Sequence, residues 1–310
     1  MEQPRKLDTF YRMDASMEIG IVSLAVTDLE RSLSFYEDVL GFTLLARSGT
    51  SAVLGGERPL VLLTECKGAP RCPEYTTGLY HLALLLPGRV DLACALRHLF
   101  ECGYPLQGSA DHNISEAIYL SDPDGNGIEL YRDRPRSAWP WQHGKLEATE
   151  PSIQLNVESL LAELDGTEFT WRGLSPFTRV GHVHLKVGNL AQSAAFYQGV
   201  LGLYETITGI SGACFFAAGG YHHHIGCNVW TSLDAPSPSL NAPGLRFFTL
   251  ALTERMQVMS LASHISNTGI MVEQHQQSYL LRDPANNGIL LTGETLRESE
   301  EVMALADIFS

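Results

Sequence analysis

Runs of apolar residues of strand length alternate along the chain with longer stretches patterned for a helix, and the alternation repeats. Residues 19–26 (IGIVSLAV) are almost wholly apolar and predict a strand. The next stretch, TDLERSLSFYEDVLGF, predicts a helix opened by Thr27 or Asp28 and closed at Gly41. Short strands are then expected at 43–47, 51–54 and 60–64. Residues 180–203 (VGHVHLKVGNLAQSAAFYQGVLGL) overlay residues 19–42 without a gap and share the xFYxxVLG ending. Self-similarity on this scale predicts one supersecondary unit used twice.

Two further units follow the same order. Residues 78–131 predict a strand (GLYHLALLL), a helix over 90–102, and strands at 117–120 and 128–131. The latter two are joined by DPDGNG, where Pro fixes φ and Gly and Asn tolerate positive φ. Residues 244–292 predict a strand, a helix over 254–268, and strands at MVEQ and on either side of DPANNG; DPANNGILL echoes DPDGNGIEL. The chain therefore reads as α+β, with four βαβββ modules of about 50 residues each. The expected organisation is modules one and two over 18–131, a linker over 132–179 and modules three and four over 180–293. The linker is rich in Trp and Pro at first, with a helix predicted at 158–164. A polar arm (1–17) and a terminal helix near 296–308 flank the modules.

Composition narrows the class. With 310 residues, 45% of them hydrophobic, a large core over about two domains is expected. A net charge of −14 argues against nucleic acid or an anionic membrane as partner. No apolar run is long enough to span a bilayer, and the first residues lack a signal-peptide core. Six cysteines form no CxxC pair, which fits a reducing cytoplasm.

Candidate chemistry begins at Glu129. In the strand 128–131 it alternates with Ile128 and Leu130, so it faces away from them. If the leucine face packs under a helix, the carboxylate points into the concave side of the sheet, where it is costly without a cation or several donors. His81 interrupts another apolar strand of the same module. A single histidine in such a strand is usually a hydrogen-bonded core residue; paired with an inward carboxylate it suggests a metal.

The repeat and the DPxGNxxEL pattern resemble the vicinal oxygen chelate superfamily over nearly all of residues 18–293. Within it, GLYHLALLLP, SEAIYLSDPDGNGIELYRDRPRS and GGYHHHIGCNVW are most similar to two-domain extradiol catechol dioxygenases. The resemblance implies paired modules forming two open mixed-sheet barrels around a metal. It also implies a His on the opening strand and a Glu on the last strand of metal-binding modules, giving His81, Glu129 and, from module three, His182. His184 lies on the same face and competes with His182. Modules one and four carry Ile21, Phe247 or Phe248, and Leu290 or Leu291 at the corresponding places. Pairing two with three, and one with four, is therefore expected to gather the ligands, with the metal barrel built from 78–131 plus 180–230. Two histidines and one carboxylate are the facial triad of non-haem Fe(II) oxygenases, with Mn(II) also compatible. By resemblance, His223 takes the acid–base position, Tyr119 holds a substrate oxygen and His112 is a further polar pocket residue. The implied function is extradiol cleavage of a catechol-type diol with O2 by a cytoplasmic homo-oligomer. A hydroquinone-cleaving dioxygenase, a glyoxalase-like isomerase and an aromatic-ligand binding protein remain the alternatives.

Overall fold

The computed structural model describes residues 11–70, 72–147, 153–166, 170–239, 241–293 and 296–309. The first ten residues of the expected polar arm and part of the linker lie outside the described residues. Module one contributes β1 (Glu18–Val26), β2 (Thr43–Ser48), β3 (Ser51–Gly55) and β4 (Pro59–Glu65). Module two contributes β5 (Gly78–Leu85), β6 (Gly108–Asp111), β7 (Ser115–Ser121) and β8 (Gly127–Asp133). The segment after it adds β9 (Trp141–Gln142) and β10 (Lys145–Glu147). Module three holds β11 (Arg179–Lys186), β12 (Tyr204–Thr208), β13 (Ala213–Ala217) and β14 (Ile225–Asn228). Module four holds β15 (Gly244–Ala251), β16 (Glu273–His275), β17 (Ser278–Arg282) and β18 (Gly288–Thr292).

These strands form two mixed sheets. One runs β16-β17-β18-β15-β1-β4-β3-β2, from modules one and four. The other runs β6-β7-β8-β5-β11-β14-β13-β12-β10-β9, from modules two and three with the two short strands at its edge. Each sheet is centred on an antiparallel pair of opening strands, β1 with β15 and β5 with β11. Helices Arg89–Cys102 and Arg255–Asn267 send buried leucines and Ile265 into one large core, together with the leucine faces of both sheets.

The two repeated sequence signatures meet in space. Helix Leu29–Ser34 widens into a π-helical turn at Phe35–Val39, and helix Leu190–Ala194 does so at Ala195–Val200. Each wide turn carries the Phe-Tyr pair. The Tyr36 hydroxyl donates to Asp122 (3.3 Å), and that of Tyr197 to Asp283 (2.8 Å). Both aspartates sit in the DPxxN turns, where they also accept from the backbone and side chain of Asn126 and Asn287 respectively. A buried carboxylate must be satisfied this fully to be tolerated. The tyrosines thus tie modules in chain order, one to two and three to four, while the sheets tie two to three and one to four.

Candidate metal centre and active site

Three adjacent strands, β8, β5 and β11, place the candidate ligands. Glu129 on β8 and His182 on β11 both lie opposite Ala83 of β5, and His81 stands two residues before Ala83 on the same face. The residue between them on β5, Ala83, carries only a methyl group. Gly181 permits the close packing behind His182, since a Cβ there would fall 1.7 Å from the Tyr131 hydroxyl. Nε2 of His81 lies 2.9 Å from Glu129 Oε2, Nε2 of His182 lies 3.1 Å from the same oxygen, and the two nitrogens are 3.3 Å apart.

Those separations test whether a metal fits. Adjacent ligand atoms around an octahedral ion with bonds of about 2.1 Å are about 3 Å apart. All three pairs are near that value, so the donor set fits one face of such an octahedron. The residues are 7%, 3% and 2% exposed for His81, Glu129 and His182, and no Lys or Arg is bonded to Glu129 among the described residues. Burial would raise the Glu129 carboxyl, but the His182 and His81 imidazoles more than offset this and hold it well below the usual range. Burial pushes His182 down to about 4 against the opposing pull of Glu129. A buried carboxylate beside a neutral imidazole is the protonation state a divalent cation requires. No fourth His, Cys, Asp or Glu joins the group among the described residues.

His184 faces the same side but stands apart from the donor group. Its Nε2 is 3.1 Å from Asn228 Nδ2, and its ring packs edge-on to His81 at 4.9 Å between centroids. His182 Nδ1 has no hydrogen-bond partner, so packing holds the ring, with Tyr131 at 4.9 Å and His223 at 4.1 Å between centroids.

Tyr119 lies directly across from Glu129 in the β7–β8 pair, so the two share a face. Its hydroxyl donates to Glu129 Oε1 (3.2 Å) and accepts from His112 Nε2 (2.8 Å). Burial, then the Glu129 charge, raises the phenol well above its ordinary range, so it remains a donor. Burial lowers His112. His223 lines the opposite wall, and burial, then His182 and His222, holds it well below the usual histidine range. Sequence reasoning gave no role to His222, Asp133 or Asn228: His222 contacts His223, Asp133 contacts His222 and Asn228 contacts His184, through pairings no local pattern announces.

A cavity of about 1270 Å³ opens above the triad. Ile114, Leu146, Ile207 and Phe215 form an apolar wall, with Tyr80 and Trp230 at a more exposed rim. Leu146 is delivered by β10, which pairs in parallel with β12 opposite Ile207. The segment between the modules is therefore part of the pocket wall. The arginines at 134 and 136 do not line it: Arg134 pairs with Asp111 and Glu116, and Arg136 lies over Trp139 and Tyr221.

Fold, repeat and clustered donors define a protein of the vicinal oxygen chelate type. Residues 18–130 match the Glyoxalase/Bleomycin resistance protein/Dioxygenase superfamily, and the chain belongs to it. It is 41% identical to the catechol-2,3-dioxygenase of Bacillus subtilis (strain 168) over 278 residues, 88% of this chain and 95% of the relative. Among solved structures, a putative dioxygenase from Bacillus subtilis superposes with a TM-score of 0.66 at 11% identity, covering 94% of this chain and 91% of that one. Glyoxalase I from Zea mays gives 0.56 at 16% identity, covering 94% and 96%. At such low identity these two speak for the fold alone. The near full-length relative places the chain among extradiol ring-cleaving dioxygenases, enzymes that work through a catalytic metal. No helix among the described residues is long and apolar enough to cross a membrane.

Proposed function

We propose that the chain opens the ring of a catechol-type diol beside its two hydroxyls, using O2 and an Fe(II) held by His81, Glu129 and His182. The observation that carries this reading is the set of three donor separations, 2.9, 3.1 and 3.3 Å, on one buried face. When bound, the metal supplies open positions where diol and O2 are held together and a path for electrons between them. The same donors accept Mn(II), and Fe(II) is our reading because oxygenases with this triad use it.

The protein's own groups do the rest. Tyr119 braces Glu129 through Oε1, which keeps Oε2 toward the two histidines, and its hydroxyl lines the cavity where it would meet a substrate oxygen. His112 keeps the Tyr119 hydroxyl in place from behind. His223 moves the proton between substrate and oxygen, a task suited to an imidazole that is neutral at rest. The cavity exceeds the roughly 300–1,000 Å³ of ordinary small-molecule sites, and its wall of Ile207, Phe215 and Leu146 suits a ring with apolar substituents.

Protein purified without oxygen should contain close to one iron per chain. It should consume one O2 per catechol and yield a yellow ring-opened semialdehyde. Iron-loaded protein that consumes no O2 with catechol, alkyl catechols or hydroquinones would overturn this function.

A further inference from the structure

Behind His223 lies a connected pair of side chains that the function above does not use. His222 is 1% exposed, enclosed by Tyr221, Trp139 and Tyr131, and the Thr206 hydroxyl donates to its backbone carbonyl. Its Nε2 is 2.9 Å from Asp133 Oδ1, and its Nδ1 is 2.8 Å from His223 Nδ1. Asp133 ends β8, the strand that carries Glu129. Arg132 and Arg134 direct their guanidinium groups mainly to Glu116 and Asp111, and Arg132 reaches only the backbone carbonyl of Asp133 (3.4 Å).

With Asp133 ionised and both imidazoles neutral, the contacts along this row select one tautomer for each ring. An ionised carboxylate only accepts, so the His222 proton sits on Nε2. A neutral imidazole has one N–H, which leaves His222 Nδ1 as an acceptor. His223 must then be the donor in the Nδ1–Nδ1 contact. Its own single proton is therefore on Nδ1, and Nε2 is left with a free lone pair on the edge of the ring turned away from His222. His223 lines the cavity, and Nε2 has no hydrogen-bond partner among the described residues.

We infer that Asp133 and His222 are positioning residues that fix the tautomer and the orientation of His223, so that an unprotonated Nε2 is presented to the substrate. The role resembles that of a carboxylate behind a catalytic histidine in hydrolases, where the wrong tautomer alone costs orders of magnitude in rate. Here the instruction passes through an intervening imidazole. The inference rests on the proposed acid–base role of His223, although the tautomer itself does not.

The direct test is long-range ¹H–¹⁵N NMR of the metal-free protein labelled at histidine nitrogen. The His223 signal is assigned by its loss in His223→Asn. The parent should show the Nδ1–H form at neutral pH, and Asp133→Asn should shift it toward the Nε2–H form. In the iron-loaded enzyme, Asp133→Asn and His222→Phe should lower kcat at least 30-fold, with iron content unchanged and KM within about threefold. His222→Asn, which keeps a carbonyl acceptor for His223, should recover a substantial part of the rate lost in His222→Phe. An Nε2–H tautomer in the parent overturns the inference, as do variants that lose rate only in proportion to iron. If the tautomer is as stated but no diol is turned over by any form, the functional reading fails and the positioning stands.

Discussion

The concave faces of the two sheets are built on one plan and filled in opposite ways. In the sheet of modules two and three, β5, β8 and β11 present His81, Glu129 and His182. In the sheet of modules one and four, the same places hold Phe247, Leu290 and Ile21. The equivalence is set by register: His81 lies opposite Gly127 as Phe247 lies opposite Gly288, and the ungapped repeat aligns Ile21 with His182. Phe247, Leu290 and Ile21 belong to one small apolar cluster with Val53, Leu62 and Leu280. Val302, from the short helix Ser299–Met303, packs into the same cluster and covers it. The other sheet's concave face opens instead into the large cavity. One face therefore contributes burial to stability, while the other keeps polar donors that suit the proposed cation.

Removing a donor should break the comparison most completely. Glu129→Ala, His81→Ala or His182→Ala should each abolish turnover and most iron binding while far-UV circular dichroism stays that of the parent. Metal analysis and O2 uptake on the same samples check this. If His182→Ala keeps its iron and His184→Ala loses it, the ligand assignment is wrong.

The reverse experiment puts a donor where the apolar face has none. Leu290 is fully buried, and Leu290→Glu introduces an unpaired charge expected to cost about 3–5 kcal/mol. Phe247→Ala, at the position equivalent to His81, should cost a similar amount, about 3–5 kcal/mol, through the cavity it leaves. Denaturant midpoints at unchanged slope measure both. A Leu290→Glu protein as stable as the parent would mean that water reaches this face.

His223→Phe should retain iron and slow turnover by about 10²–10⁴-fold, the usual worth of a positioned acid–base group. A rate within a few-fold of the parent would move the proton transfer elsewhere.

Acid should distinguish the two faces in metal-stripped protein. His182 stays neutral in the folded chain down to about 4, whereas an unfolded histidine takes a proton near 6.5. Between those values the unfolded state holds more protons, so stability falls as pH drops, by about 1.4 kcal/mol per pH unit for this residue. His182→Ile, which installs the residue of the other face, should flatten that part of the curve. An unchanged acid limb would mean that His182 does not contribute to it. Tyr119→Phe is expected to have the smallest effect, roughly tenfold in rate, as befits one hydrogen bond to a charged group. Unaltered steady-state kinetics would remove Tyr119 from the site.

Much of this was legible in the sequence for a definite reason. Strand and helix periods are local, and the match of residues 180–203 to 19–42 repeats a local instruction, so module order follows from the chain alone. Ile21 could likewise be set against His182 by the ungapped repeat, whereas the choice between Phe247 and Phe248, and between Leu290 and Leu291, came from the register of β15 against β18. What the sequence left open was decided by pairing. His182 and His184 have the same parity on β11, and only the register against β5, which sets His182 opposite Ala83 and His184 opposite His81, brings one of them to Glu129. Tyr119 and Glu129 are separated by a turn, and it is the antiparallel register that puts them face to face. Asp133 and His222 are 89 residues apart, and the short strand that carries Leu146 into the pocket has no periodicity of its own to mark it. Such contacts depend on long-range strand registration, which is fixed when the whole core packs and is written in no single stretch of the chain.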